Sequence, residues 1–357
     1  MCEVLKNREI LPLMKEGVGW EERRKELLSL LCEYEYGVTP NPPEEVWAKI
    51  FYEDKNAFAG KVLEQHISLS FSTPGGIYSF PFKLFLPYSD KELPVILHLA
   101  FRPEVPDRYV PAEEICDRGY ALAVVCYQDI TPDTHFGDFS SGLASMYIKD
   151  NKRQPNEWGK IGMWAFGASR IVDYLVTREE LNHSEISVLG HSRLGKTALW
   201  CGAQDERIYC SISNNSGYGG ASLSKNRSET GEHISSFVRI GSDDWYCPRF
   251  TEFLDRDDEK PYDQHFLLSL IAPRLICVGS ALEDRGADPE SEYWCCVASS
   301  EAYQKYGLSG LISDHMFPPS GTSYQEGEIG YHLRDGRHFL SRYDWLRYMD
   351  FLDQKRK

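Results

Sequence analysis

No run of this sequence approaches the roughly 18–20 consecutive apolar residues that a membrane-spanning helix needs, so no membrane partner is expected. Positive charge is in deficit, with 39 Lys and Arg against 54 Asp and Glu and a formal net charge of −15. An excess of that sign repels a phosphate backbone, which argues against a nucleic-acid partner. The ten cysteines include no C-x-x-C pair, the spacing used by zinc ribbons and redox motifs. Cys126 and Cys277 lie inside apolar runs and read as buried, reduced thiols. The first ten residues (Met-Cys-Glu-Val-Leu-Lys-Asn-Arg-Glu-Ile) lack the apolar core of a signal peptide. A cytoplasmic location is the expectation, and nothing calls for a metal or cofactor. Internal repeats, low-complexity tracts and Pro/Ser linkers are also missing. One domain over residues 1–357 is therefore predicted, with a helical N-terminal extension to about residue 60.

What is present is a chain of 357 residues, 42% of them hydrophobic, enough to bury a large core. Residues 19–36 carry apolar groups at helical spacing, and Gly37 with Pro40, Pro42 and Pro43 stops that helix. Residues 65–72 and 78–86 alternate around Pro74-Gly75-Gly76, a β-hairpin with one solvated face. The runs at 95–100, 121–126, 186–190 and 275–279 are nearly all apolar, as strands buried on both faces should be. Helical stretches at 158–175 and 194–203 fall between them. Alternating buried strands and helices predict a mostly parallel sheet with an antiparallel N-terminal edge.

The chemistry concentrates at Val188-Leu189-Gly190-His191-Ser192-Arg193-Leu194-Gly195-Lys196, where a buried strand turns at once into a helix. That context suits a nucleophile elbow, with the Ser192 hydroxyl presented on a tight turn and the helix N–H groups beside it. The spacing departs from G-x-S-x-G, since Leu194 holds the second glycine's place and Gly195 follows. A serine needs a base and an orienting acid. Glu283, Asp284 and Asp288 follow the strand at 275–279 and are all candidates for the acid. His338 lies in a loop after the strand at 330–333, which favours it over His332 as the base.

With these blocks in place, the chain resembles the glucuronoyl esterase family, carbohydrate esterase family 15, and its bacterial relatives labelled acetyl xylan esterases. The resemblance rests on Trp158-Gly159, Gly190-His191-Ser192-Arg193-Leu194-Gly195-Lys196 and Asn214-Asn215-Ser216-Gly217-Tyr218-Gly219-Gly220, with Ile271-Ala272-Pro273-Arg274 and Gly330-Tyr331-His332-Leu333-Arg334-Asp335-Gly336-Arg337-His338 downstream. It implies an α/β-hydrolase fold, a three-layer αβα sandwich, and a serine esterase acting on a small-molecule or oligosaccharide ester of a carbohydrate. Carried over by position, it implies Ser192 as nucleophile, His338 as base and Arg193 in the oxyanion hole, with Lys196 and Glu229 as sugar contacts. Two positions depart from the family. Asn215 stands where fungal members keep the triad glutamate, which by the bacterial pattern moves the acid to Asp284. Gly286 replaces a family tryptophan, removing a stacking surface and leaving Arg285 as a neighbouring cation for an acidic sugar. The long segment at about 216–265 is expected to wall the site, with Trp245 and Tyr246 as its aromatic contacts.

Overall fold

The computed structural model describes residues 2–226 and 228–356. Among these, one continuous sheet comprises β1 (Val46–Asn56), β2 (Val62–Thr73), β3 (Gly76–Pro87), β4 (Leu93–Ala100), β5 (Ala121–Cys126), β6 (Leu181–His191), β7 (Cys210–Asn214), β8 (Leu275–Ala281), β9 (Ser323–Tyr324) and β10 (Ile329–Arg334). Their spatial order is β1-β2-β3-β5-β4-β6-β7-β8-β10-β9. From β5 to β10 across that order the strands are parallel. β1, β2 and β3 pair antiparallel, and β3 joins β5 antiparallel.

The all-apolar strands resolve into two faces by their period of two. Val95, Leu97 and Leu99 of β4 enter the core beneath the helices Trp20–Tyr34, Lys160–Leu175, Arg193–Gln204 and Pro289–Gln304. Ile96 and Ala100 enter a second core beneath the helix Arg342–Lys355. The result is three layers, helices on both sides of a mostly parallel sheet, the α/β-hydrolase arrangement that the resemblance implied. The β2–β3 hairpin closes at Thr73 opposite Gly76, with Ile67, Leu69 and Phe71 buried.

Two elements differ from expectation. Residues 46–56, placed by the sequence in a helical extension, form edge strand β1. An edge strand with most of its residues exposed needs no apolar/polar alternation, and Trp47, Ile50, Phe51 and Tyr52 scatter apolar groups over both faces. A bulge between Ile50 and Tyr52 further breaks the period. Strand β7 went unread because it is five residues long and Ser211 and Ser213 interrupt its apolar signal. The 216–265 segment lies between β7 and β8, holding the short helix Ile234–Ile240 and three short 3-10 helices. The carboxyl ends of β6, β7, β8 and β10 share one edge of the sheet, and the loops leaving them carry Ser192, Asn215, Asp284 and His338. This is where open α/β sheets place their ligands.

Candidate active site

Strand β6 ends at His191, and the next helix starts at Arg193. Ser192 makes the turn alone, with φ 59° and ψ −128°, a conformation costing a non-glycine residue on the order of 1–3 kcal/mol. Its N–H donates to the Asn214 carbonyl at 2.9 Å, and its carbonyl accepts from Gly195 and Lys196 at 2.8 and 3.2 Å. Gly190 is obligatory here, since a Cβ at that position would lie 2.0 Å from the Leu194 carbonyl oxygen. Leu194 itself is buried in the core, which explains why a large residue stands in the place of the motif's second glycine.

Across the sheet edge, His338 Nδ1 lies 2.6 Å from Asp284 Oδ2. The same oxygen accepts a hydrogen bond from Asn215 Nδ2 at 2.8 Å. Burial pushes the Asp284 carboxyl upward, but the His338 hydrogen bond and charge, with the Asn215 amide, outweigh it and hold the group below its ordinary value. The other two acids are used elsewhere. Glu283 is exposed and faces Arg337 at 3.6 Å, while Asp288 caps the helix Pro289–Gln304 through the Ser291 N–H. His332 is also set apart: buried, it contacts Asp344 Oδ1 at 2.8 Å in a structural pair. The His338 ring lies 4.4 Å from the ring of His191, the residue before the elbow serine. His191 bonds through Nδ1 to Asn214 Oδ1 at 2.7 Å. Burial, reinforced by His338, drives the His191 pKa down to about 3, so it presents a neutral ring beneath His338.

Arg193, at the first turn of the elbow helix, is ion-paired with Asp133 and lies 4.4 Å above the Trp245 ring. Trp245 was expected to offer its ring to substrate. Instead it is buried under this guanidinium and donates Nε1–H to Asp133 at 2.8 Å. Tyr246 is likewise no contact, being fully buried and stacked on Phe250 at 3.9 Å. Lys196, expected to hydrogen-bond sugar hydroxyls, is buried with its ammonium committed to the carbonyls of Ser216 and Tyr218 at 2.5 and 2.6 Å. Its role in this geometry is to hold the loop after β7 against the elbow helix. The carboxylate beside it is Glu232, at 3.5 Å, and not Glu229, which is exposed. Arg285 is exposed and lines a surface depression with Leu282 and Phe317. Gly286 faces open space, with no atom within 4 Å of a Cβ built there, and its carbonyl accepts from Glu232 N–H at 3.0 Å. Glu292 also escaped the sequence reading. Fully buried, it accepts from Ser280 Oγ at 2.5 Å and Gly217 N–H at 3.0 Å, and burial raises its pKa to about 8.

A serine on a strained strand-to-helix elbow, with a His–carboxylate pair on the loops of two later parallel strands, defines the class: a carboxylic ester hydrolase of the α/β-hydrolase fold. Comparison with known proteins narrows it. Residues 69–307 match the family model described as glucuronyl esterase, fungi. A carbohydrate esterase from an unknown prokaryotic organism is 33% identical over 94% of this chain and 84% of its own length. The 4-O-methyl-glucuronoyl methylesterase of Schizophyllum commune is 26% identical over 81% of this chain and 69% of that protein. Among solved structures, a glucuronoyl esterase from Solibacter usitatus superimposes with a TM-score of 0.86 at 28% identity, covering 97% of this chain and 95% of that one. The chain belongs to the glucuronoyl esterase family, carbohydrate esterase family 15.

Proposed function

We propose that this esterase cleaves esters of uronic acid sugars, with Ser192 as nucleophile, His338 as general base and Asp284 as the acid that orients the imidazole. The observation that carries the assignment is the 2.6 Å contact of His338 Nδ1 with Asp284, which leaves Nε2 as the basic nitrogen. His338 takes the Ser192 proton as Oγ bonds to the acyl carbon. The oxyanion that forms is stabilised by N–H groups at the start of the elbow helix and by Arg193. Collapse expels the alcohol, which receives its proton from His338. Water, activated by the same base, then attacks the acyl-enzyme and releases the uronic acid. Arg193 and the exposed Arg285 supply positive charge suited to an acidic sugar, and Glu232 is the acceptor on hand for its hydroxyls.

The open space at Gly286 supports a second reading, in which simple acetylated sugars are hydrolysed comparably. That reading adds to the first rather than replacing it, and side-by-side kinetics on methyl glucuronate and acetylated xylose test both. The uronate ester should be hydrolysed with a high KM and little preference over the acetate. Exclusive turnover of the acetate would overturn the uronate assignment. Ser192→Ala should lower kcat by several orders of magnitude with Tm almost unchanged. A Cβ at Gly286 meets open space and needs no left-handed backbone, so Gly286→Trp should lower KM for the uronate ester through an added stacking face.

A further inference from the structure

Asp133 lies in the loop after β5, far in sequence from every residue of the candidate triad, and its side chain is only 3% exposed. One carboxylate gathers three donors from three elements. Oδ1 accepts from Trp245 Nε1 at 2.8 Å. Oδ2 accepts from Tyr127 Oη at 3.1 Å and pairs with the Arg193 guanidinium. A neutral amide has one oxygen, so it could accept from the tryptophan but would turn its own N–H groups toward the Tyr127 hydroxyl and the Arg193 guanidinium. Burying an ionised carboxylate is costly unless a cation matches it, and Arg193 is the cation that Asp133 pairs with. The guanidinium is thus held from one side by charge and from another by the Trp245 ring, 4.4 Å from Cζ. Its Nε is buried with no protein acceptor among the described residues. A long, flexible side chain has been fixed at the elbow with 28% of its surface still exposed.

From this geometry we infer that Asp133 is a positioning residue for the esterase reaction, acting through Arg193. The inference rests on the reading of Arg193 as an oxyanion donor. Electrostatic stabilisation of a transition state needs dipoles that are already oriented. An unrestrained arginine spends its time over many rotamers, and ordering it at the moment of reaction costs conformational entropy. Asp133 settles that orientation on folding, and it does so from outside the substrate's reach, since its oxygens are occupied by protein donors.

A double-mutant cycle on the full chain tests this, with kcat and KM measured on methyl glucuronate and Tm as the control. Asp133→Asn should lower kcat by ~10–100-fold with little change in KM, because the donor is lost chiefly in the transition state. Arg193→Ala should lower kcat by ~10²–10³-fold. In the Arg193→Ala background, Asp133→Asn should cost nothing further, because residues acting as a unit are not additive. Multiplicative losses, or a wild-type kcat for Asp133→Asn, would overturn the role of Asp133 alone. A wild-type kcat for Arg193→Ala would overturn the oxyanion reading and the inference together. Should Asp133→Asn fail to fold, Trp245→Phe decides, since it keeps a ring under the guanidinium and deletes one of the carboxylate's donors. It should lower kcat in the wild-type background and not in Arg193→Ala, and equal losses in both would overturn the proposal.

Discussion

Asp284 and its neighbours show what a single side chain contributes. Three acids follow β8 within seven residues, and they differ in where the loop directs them. Asp284 turns inward to His338 and Asn215, Glu283 turns out to Arg337, and Asp288 caps a helix. Asn215 also clarifies the departure from the fungal pattern: it does not replace the acid but donates to it, holding Oδ2 where the imidazole meets it. Asp284→Asn should reduce kcat by about 10³–10⁴-fold through loss of the productive tautomer, whereas Glu283→Gln should be nearly silent. Steady-state kinetics of the two variants check this, and a crippled Glu283→Gln would refute the assignment. The acid–base pairing could be narrowed to three acids by chain order, but not to one, because loop residues carry no periodicity that reports direction.

At the scale of elements, the helix Pro289–Gln304 braces the site from behind. Its Glu292 reaches past β8 to the loop after β7, where Gly217 N–H donates to it. Burial, aided by the nearby Asp284 charge, raises the Glu292 pKa to about 8. In the unfolded chain a glutamate titrates near ~4.3. The folded pKa is the higher, so the folded state retains a proton that the unfolded chain releases. Stability from this group is therefore present in full below pH ~4.3 and is lost progressively as pH rises towards 8. Glu292→Gln keeps an acceptor for Gly217 and removes the titration. It should raise Tm by about 2–4 °C at pH 8, and by clearly less at pH 5. An identical Tm change at both pH values, measured by calorimetry, would show that Glu292 does not titrate in this way.

For the whole molecule, the question is what ties the 216–265 segment to the sheet. One bond, to a helix packed on that sheet, is an ion pair in which both partners are buried: Lys160, at the start of the helix Lys160–Leu175, meets Asp244 at 2.8 Å. Burial pushes the Asp244 carboxyl up, and the Lys160 hydrogen bond and charge oppose that. Asp244 also accepts from Gly137 N–H, joining the loop that carries Asp133. Lys160→Met strands a buried carboxylate and should cost ~3–5 kcal/mol. Hydrogen exchange should quicken first around residues 234–246, before the β4–β8 core, because the lost contact anchors that segment. Uniformly faster exchange across the core would mean that the pair supports the fold as a whole. Adding Asp244→Leu to Lys160→Met should recover much of the loss, since an apolar pair avoids the desolvation cost.

The fold class, the hairpin at the edge, the buried parallel strands other than β7 and the elbow at Ser192 are all legible in the chain. Each of these depends on neighbours in the chain: apolar runs of strand length, alternation around a Pro-Gly turn, a small residue where β6 meets its helix. The family blocks extended that reading to His338 and Asp284. Tertiary structure alone decided which side chains face the site from the long loops. Trp245 lies beneath Arg193, Lys196 is spent on carbonyls, and the acid beside Lys196 is Glu232. Asp133 and Glu292 came into view only with the fold. Arg193 lies 60 residues from Asp133 and Gly217 lies 75 from Glu292, and a contact at that separation is set by how packed layers meet, for which local periodicity holds no signal.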